Sequence, residues 1–224
     1  MRRFFALLLT FVLISAMSAC GRDDESLEPF GYHDSKLSDS RYNIIKIGTF
    51  NYTDYDIYGI EILPLDKDNL DYAAAGGWEK VTEPSATYWS GREGGSPGMA
   101  WDLRWTTPKK FKVWWIHVFD KNLLSTSKGY DEYTDKNTEP GTAWCEGEIT
   151  IDRPPEKDAS NSIILHFYPD GRVEGEMYVN TGGILPEPRV DIAKRNEQPK
   201  LTGRACLKEI ANPFYGRKQP IGIR

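Results

Sequence analysis

The sequence has few cysteines and histidines, two residue types that many catalytic and metal sites use. Its 224 residues include three cysteines and three histidines, His33, His117 and His166, and no His-Glu-x-x-His motif of the zinc hydrolases. A histidine within a strand is more often a hydrogen-bonded structural residue than a general base. We therefore predict no catalytic residue, no metal and no cofactor. The alternative is a hydrolase that uses His166 or a pair of carboxylates.

The chain also lacks an excess of positive charge. It has 28 basic and 33 acidic side chains, which gives a formal net charge of −5. A mildly acidic domain repels the phosphates of nucleic acids and the anionic headgroups of lipids. This balance argues against nucleic acid as a partner and against a basic membrane-binding face.

Only one long hydrophobic run is present, and it lies at the N-terminus. Arg2 and Arg3 precede a mostly apolar run at 4–17 of about fourteen residues, whereas a membrane span needs roughly twenty. A positively charged start, a short apolar run and small residues after it are typical of an export signal. The sequence therefore predicts an exported protein.

The end of this segment, Ser-Ala-Cys at 18–20, resembles the bacterial lipoprotein signal, in which a peptidase cuts just before the cysteine. The resemblance implies a signal peptide at 1–19 and an N-terminal Cys20 that carries acyl chains such as palmitate. Two or more such chains hold a protein firmly on a bilayer. Gly21 after the cysteine implies the outer membrane of the cell envelope, with the folded part in the periplasm. The alternative is a secretory signal cleaved near Ala19, which leaves no lipid anchor.

If Cys20 carries a lipid, Cys145 and Cys206 remain as a pair in an oxidising compartment. We predict that they form a disulfide. Such a bond closes a loop of about sixty residues and stabilises the fold by roughly 4 kcal/mol through loop-closure entropy. The alternative is two separately buried thiols.

After the signal we divide the chain into two parts. Residues 20–40 are polar and charged and have few periodic apolar positions, which predicts a flexible stalk. Residues 41–224 predict a single β-rich globular domain. Within it, 42–48 is rich in β-branched side chains and 55–63 alternates, which predicts two strands; 111–119 is mostly apolar on both faces, which indicates a central strand.

Two features of the C-terminal half complete the fold prediction. An Asp-Gly pair at 170–171 lies between alternating runs at 162–168 and 172–179, and Asp-Gly in this position marks a β-hairpin. Residues 202–211 predict a short helix capped by its first threonine. The sequence thus predicts an all-β, sandwich-like antiparallel domain of about six to eight strands with a short C-terminal helix.

Residues 50–57 and 165–173 resemble a family of proteobacterial periplasmic lipoproteins. Its members are commonly encoded beside type VI secretion phospholipase effectors, and several look like the immunity proteins of those effectors. The resemblance covers roughly residues 42–180 together with the lipoprotein signal. At 99–101 this chain has Met-Ala-Trp where many members have adjacent cysteines, so no disulfide is inferred from those members.

The resemblance implies a protein that binds a secreted lipase effector and inhibits it at the membrane. As candidate partner-binding residues we single out Tyr52, Asp54 and Asp56, near the connection of the first two strands, and Asp170 at the hairpin tip. Aromatic and acidic side chains in loops are common recognition residues. Turn chemistry is the alternative role for each of them. The alternative function is that of a structural or assembly lipoprotein in an envelope complex.

Overall fold

The computed structural model describes residues 42–65, 74–76, 85–90, 98–124, 129–157, 159–180, 182, 184, 186–191, 194, 197–202 and 204–217. The predicted signal peptide, Cys20 and the stalk at 20–40 lie outside these ranges. The described part of the chain is β-dominated and forms two five-stranded sheets that share one core, as predicted for a β-sandwich. Its helices include none long and apolar enough to cross a membrane.

The first sheet, sheet A, is built around β1 and β8. Its strands are β1 Tyr42–Asn51, β4 Ser85–Ser90, β5 Gly98–Asp102, β8 Ser160–Phe167 and β9 Val173–Asn180. One edge of β1 pairs with β5 along its first half and with β4 along its second half. The other edge pairs with β8, and this pair is parallel, whereas the other strand pairs of the described residues are antiparallel.

The second sheet, sheet B, has β6 at its centre, as predicted. Its strands are β2 Asp56–Pro64, β3 Ala74–Gly76, β6 Lys109–Val118, β7 Thr142–Ile151 and β10 Glu209–Ile210, and their order is β10-β7-β6-β2-β3. A four-residue helix, α1 Lys121–Leu124, follows β6. The described residues thus form ten strands, and the short β3 and β10 account for the excess over the predicted number.

The side chains of β6 alternate between two hydrophobic clusters, because successive residues of a strand point to opposite faces. Phe111, Val113 and Trp115 enter the core between the two sheets. Sheet A contributes Ile45, Ile47, Ile163, Leu165 and Phe167 to the same core. The intervening residues of β6 point to the outer face of sheet B, where Trp144 and Phe214 join them. Burial on both faces explains why the strand is mostly apolar from Phe111 to Val118.

A bulge in β2 changes which face its side chains occupy. Ile57 and Ile60 both lie in the core, although strict alternation would place them on opposite faces. Between Tyr58 and Glu61 the register advances three residues on β2 but only two on β6. Gly59 has a φ of +58° within this step, as an extra residue in an antiparallel ladder often requires. The bulge keeps both halves of β2 apolar towards the core.

The predicted hairpin between β8 and β9 is confirmed. The two strands pair antiparallel, and the loop at 168–172 is closed by a 2.9 Å hydrogen bond from the Tyr168 amide to the Arg172 carbonyl. Gly171 has a φ of +80°, a left-handed conformation that glycine adopts without steric cost.

The predicted helix at 202–211 is wrong, and the predicted disulfide is confirmed. Cys145 and Cys206 are bonded, with their Cα atoms 6.0 Å apart. The described residues of 202–211 form bends followed by β10, in which Glu209 lies opposite Cys145 on β7. The disulfide holds this segment beside the open edge of β7, where strand pairing satisfies the backbone groups of both. This tertiary constraint overrides the local preference for a helix.

Candidate functional site

The outer face of sheet A carries an aromatic cluster. Its buried members are Phe50, Tyr52, Ile164, Tyr168 and Val190. The parallel register of β1 and β8 places Phe50 beside His166, and their rings stack with centroids 5.3 Å apart. The chain after β9 crosses this face, and the Arg189 amide donates a 2.9 Å hydrogen bond to the Tyr52 hydroxyl. Residues distant in the sequence therefore meet on one face of the sheet.

A polar network runs through this cluster, and we name it the outer network: Tyr52, His166, Glu174, Glu176 and Arg189. The Tyr52 hydroxyl lies 2.9 Å from Nδ1 of His166, and Nε2 of His166 lies 3.2 Å from the Glu176 carboxylate. With its proton on Nε2, the imidazole donates to Glu176 and accepts from Tyr52. Arg189 donates to Glu176 at 2.6 Å and to Glu174 at 2.8 Å. Both ring nitrogens of His166 thus have partners.

The ionisation states of the outer network match these hydrogen bonds. The hydrogen bond from His166, followed by the hydrogen bond and charge of Arg189, holds the pKa of Glu176 at about 2. Burial raises the pKa of Tyr52 to about 12. At neutral pH Glu176 is therefore an ionised acceptor and Tyr52 is a neutral donor.

The order hydroxyl, imidazole, carboxylate is also that of a nucleophile with its base and orienting acid. Here, however, Tyr52 and His166 are both 0% exposed. Their rings stack on each other with centroids 5.9 Å apart, and the Arg189 amide already occupies the Tyr52 oxygen. The described structure offers a substrate no access to these atoms, so we assign the outer network a structural role.

Two of the four predicted partner-binding side chains are buried. Tyr52 belongs to the outer network. Asp56 is 3% exposed, and its carboxylate lies 2.5 Å from the ammonium of Lys121 at the start of α1. Both side chains are engaged inside the fold, where a partner does not reach them.

The other two, Asp54 and Asp170, lie at one end of the sandwich, which we name the loop end. It comprises the β1–β2 turn at 51–55, residues 119–123 after β6, the β8–β9 loop at 168–172 and the described residues of 200–207. These pieces meet because β1, β6 and β8 end there and β2 and β9 begin there. Lys200 binds the Asp54 carboxylate at 2.6 Å, and the Leu201 amide donates to the Pro169 carbonyl at 3.0 Å.

The loop end concentrates exposed apolar side chains. Seven large hydrophobic residues of the described chain are exposed, and four of them belong to the loop end: Tyr55, Phe119, Leu123 and Leu207. A single exposed apolar residue is unremarkable in a folded protein. Several at one end, beside charged side chains, are typical of a protein-binding surface.

A cavity of about 50 Å³ lies at the loop end between the two sheets. The buried residues that line it include Trp115 and His117 of β6 and Phe167 of β8, and the exposed ones include Arg172, Lys200 and Arg204. The cavity therefore has an aromatic interior and a rim rich in positive charge.

Together with Thr53, His117 is a buried polar residue of the cavity lining. It is buried, and its Nε2 has no hydrogen-bond partner among the described residues. The Tyr55 ring packs against the imidazole with centroids 4.4 Å apart. Burial lowers the pKa of His117 to about 4, against a smaller opposing effect of the Glu209 charge. The ring is therefore neutral at pH 7.

Lys200 and Arg204 were not predicted from the sequence as site residues. Neither belongs to a motif, and both are far along the chain from the β1–β2 turn that they approach. Cys206 is the signal that could have indicated them, because its disulfide brings the neighbouring residues to the end of sheet B. Long-range placement of this kind requires the pairing of Cys206 to be known.

One sequence motif was also missed. Residues 94–98 read Gly-Gly-Ser-Pro-Gly, which matches the Gly-x-Ser-x-Gly letters of a nucleophile elbow. That elbow joins a strand to a helix. Here Gly98 begins β5, which pairs antiparallel with β1. Ser96 lies outside the described residues. The motif is thus followed by a strand and lacks the context that a nucleophile elbow requires.

No group of three or more His, Cys, Asp and Glu side chains within the described ranges is placed to hold a metal ion. Comparisons of the chain with protein-family models, with curated proteins and with solved structures found no match. The function is therefore inferred from the residues and their geometry.

Proposed function

We propose that this protein is a membrane-tethered periplasmic binding protein, and that it acts as an immunity lipoprotein that inhibits a type VI secretion lipase effector by binding it. The proposal is supported by the lipoprotein-like signal that ends at Cys20, by the family resemblance of residues 50–57 and 165–173, and by the loop end.

The observation that carries the binding role is the exposed apolar surface of the loop end. Phe119 and Leu207 are 57% and 56% exposed, and the charged residues Asp54, Lys200 and Arg172 lie at the same end. Association that buries exposed apolar area is favourable, and charged groups around it select the partner. The outer network and the disulfide stiffen the strands that carry these loops, which lowers the entropy lost on binding.

A membrane tether suits this role. A lipase that attacks phospholipids from the periplasm works at a membrane surface, and an inhibitor held at that surface meets it at raised effective concentration. Replacing Cys20 by serine removes the site of acylation. Cys20→Ser is expected to move the protein from the membrane fraction to the soluble fraction and to weaken protection without changing the affinity of the folded part.

The test is co-expression with the lipase encoded beside the gene for this protein. The wild-type chain is expected to bind that lipase and to rescue cells from it. Leu207→Asp is expected to abolish both effects. Leu103→Asp is the matched control, because Leu103 is 45% exposed and lies between β5 and β6 at the opposite end of the sandwich.

Three results would overturn the proposal. The first is a wild-type chain that neither binds the lipase nor protects cells. The second is equal loss of binding in the Leu207 and Leu103 variants, which would remove the loop end as the binding surface. The third is hydrolysis of a phospholipid or glycan panel by the purified protein that His166→Ala abolishes, which would make the protein an enzyme.

A further inference from the structure

We propose that the cavity at the loop end binds one carboxylate group, and that its occupant is an acidic side chain of the protein partner. The inference rests on the proposed function for the identity of the occupant, but the carboxylate chemistry follows from the cavity itself. Size, charge and the lining side chains each point to this ligand class.

The size of the cavity selects a small group. A cavity needs about 10–15 Å³ to hold one water molecule. The volume of about 50 Å³ therefore accepts a few atoms, such as a carboxylate with its adjacent methylene. Lipid acyl chains, nucleotides and sugars are larger than this. The exposed rim residues leave the cavity open to a side chain that arrives from solvent.

The charges on the rim favour a ligand with a single negative charge, because two of the three rim cations are already paired. Lys200 forms an ion pair with Asp54 at 2.6 Å. Arg172 contacts Asp170 at 2.6 Å and Glu174 at 2.7 Å. These two cations are already compensated by carboxylates of the chain itself.

Arg204 is the remaining cation of the rim, and it has no ion pair or hydrogen bond to another residue in the described ranges. Glu209 does not line the cavity, and its carboxylate accepts the Ala205 amide at 2.9 Å. A guanidinium binds a carboxylate through two parallel hydrogen bonds. One free guanidinium matches a carboxylate better than it matches a doubly charged phosphate.

The interior of the cavity favours a ligand that brings hydrogen-bonding atoms. His117 lines it and is buried with an unpartnered Nε2, and an unpartnered buried polar atom is rare in folded proteins. Trp115 and Phe167 provide apolar walls for the methylene groups of an aspartate or glutamate.

The experiment titrates the full chain, purified in detergent, with propionate as the probe at constant ionic strength. Propionamide, which has the same shape without the charge, and inorganic phosphate are the comparison ligands. The readout is the NMR signal of the His117 ring, which His117→Gln assigns among the three histidines. Propionate is expected to shift this signal saturably, propionamide not to shift it, and phosphate to bind more weakly.

Arg204→Gln is expected to weaken propionate binding by about tenfold, since hydrogen bonds to charged groups contribute that much. Arg153→Gln is the matched control, because this exposed arginine pairs with Glu156 beyond the far end of β7. Absence of a saturable shift, an equal shift with propionamide, tighter binding of phosphate, or equal effects of the two arginine variants would each overturn the carboxylate site.

A second arm identifies the source of the carboxylate. If the occupant is a partner side chain, Arg204→Gln weakens the complex with the neighbouring lipase while Arg153→Gln does not, and excess propionate competes. If neither Arg204→Gln nor excess propionate weakens the lipase complex, the occupant is not a partner side chain. The cavity then binds a free small carboxylate. If the chain binds propionate but no lipase, the proposed function fails while the carboxylate chemistry stands.

Discussion

The Tyr52 hydroxyl lies 2.9 Å from Nδ1 of His166, although 114 residues separate the two along the chain. This hydrogen bond joins the end of β1 to the end of β8, and both strands lead directly into the loop end. The same hydroxyl also accepts a hydrogen bond from the Arg189 amide. The bond therefore ties together two strands and the segment that covers them.

Tyr52→Phe is expected to destabilise the protein by about 1–3 kcal/mol, because it leaves the buried Nδ1 of His166 and the Arg189 amide without their partner. The measurement is urea unfolding. Tyr215→Phe is the control, since Tyr215 is 49% exposed, and it is expected to change stability by no more than about 0.5 kcal/mol. Equal effects of the two variants would contradict a structural role of the outer network.

The protein is expected to lose stability between pH 6.5 and pH 4 through His117. The pKa of His117 is about 4 in the folded protein and near 6.5 in the unfolded chain, so the unfolded chain binds the proton first as pH falls. The loss is on the order of 3 kcal/mol and stops below pH 4, where both states are protonated. The measurement is the free energy of unfolding of the wild-type protein and of His117→Gln across this pH range. Only the wild type has the titrating imidazole, so the difference between the two proteins gives its contribution. A parallel pH dependence of the two proteins would refute it.

Removal of the disulfide by the paired change Cys145→Ala and Cys206→Ala is expected to destabilise the fold by about 4 kcal/mol. The bond joins cysteines 61 positions apart in the sequence, and the unfolded chain gains the conformational freedom of the loop between them when the bond is absent. Chemical denaturation measures the change. Non-reducing mass spectrometry of the wild-type protein is the check on the bond itself, and free thiols at both positions would contradict it.

Gly59→Ala is expected to cost about 2–3 kcal/mol. A β-carbon there would lie 2.9 Å from Cδ1 of Ile116, in addition to the strain of alanine at a φ of +58°. Gly129→Ala is the matched control, because Gly129 also has a positive φ but no atom within 4 Å of the added carbon. Its cost is expected to be about 1 kcal/mol from strain alone. Thermal or urea unfolding of both variants separates the contact from the strain.

Local sequence features were sufficient where neighbours along the chain determine the structure. The apolar residues at 111–119 indicated a central strand, and the Asp-Gly pair at 170–171 indicated the hairpin, because strand burial and turn geometry depend on adjacent side chains. The cysteine count also identified the disulfide partners. These features together predicted the β-sandwich class.

Tertiary structure decided which of these pieces meet. The parallel pairing of β1 with β8 buries Tyr52, so a residue that looked like a loop anchor became part of the outer network. The disulfide turned a predicted helix into β10 and brought Arg204 to the cavity rim. Such outcomes depend on contacts between residues that are distant in the sequence. The preference of a short segment for helix or strand does not include the free energy of those contacts. The sequence by itself therefore determined the β-sandwich class, the central strand, the hairpin and the cysteine pair, and only packing determined the strand at 209–210 and the residues that meet at the loop end.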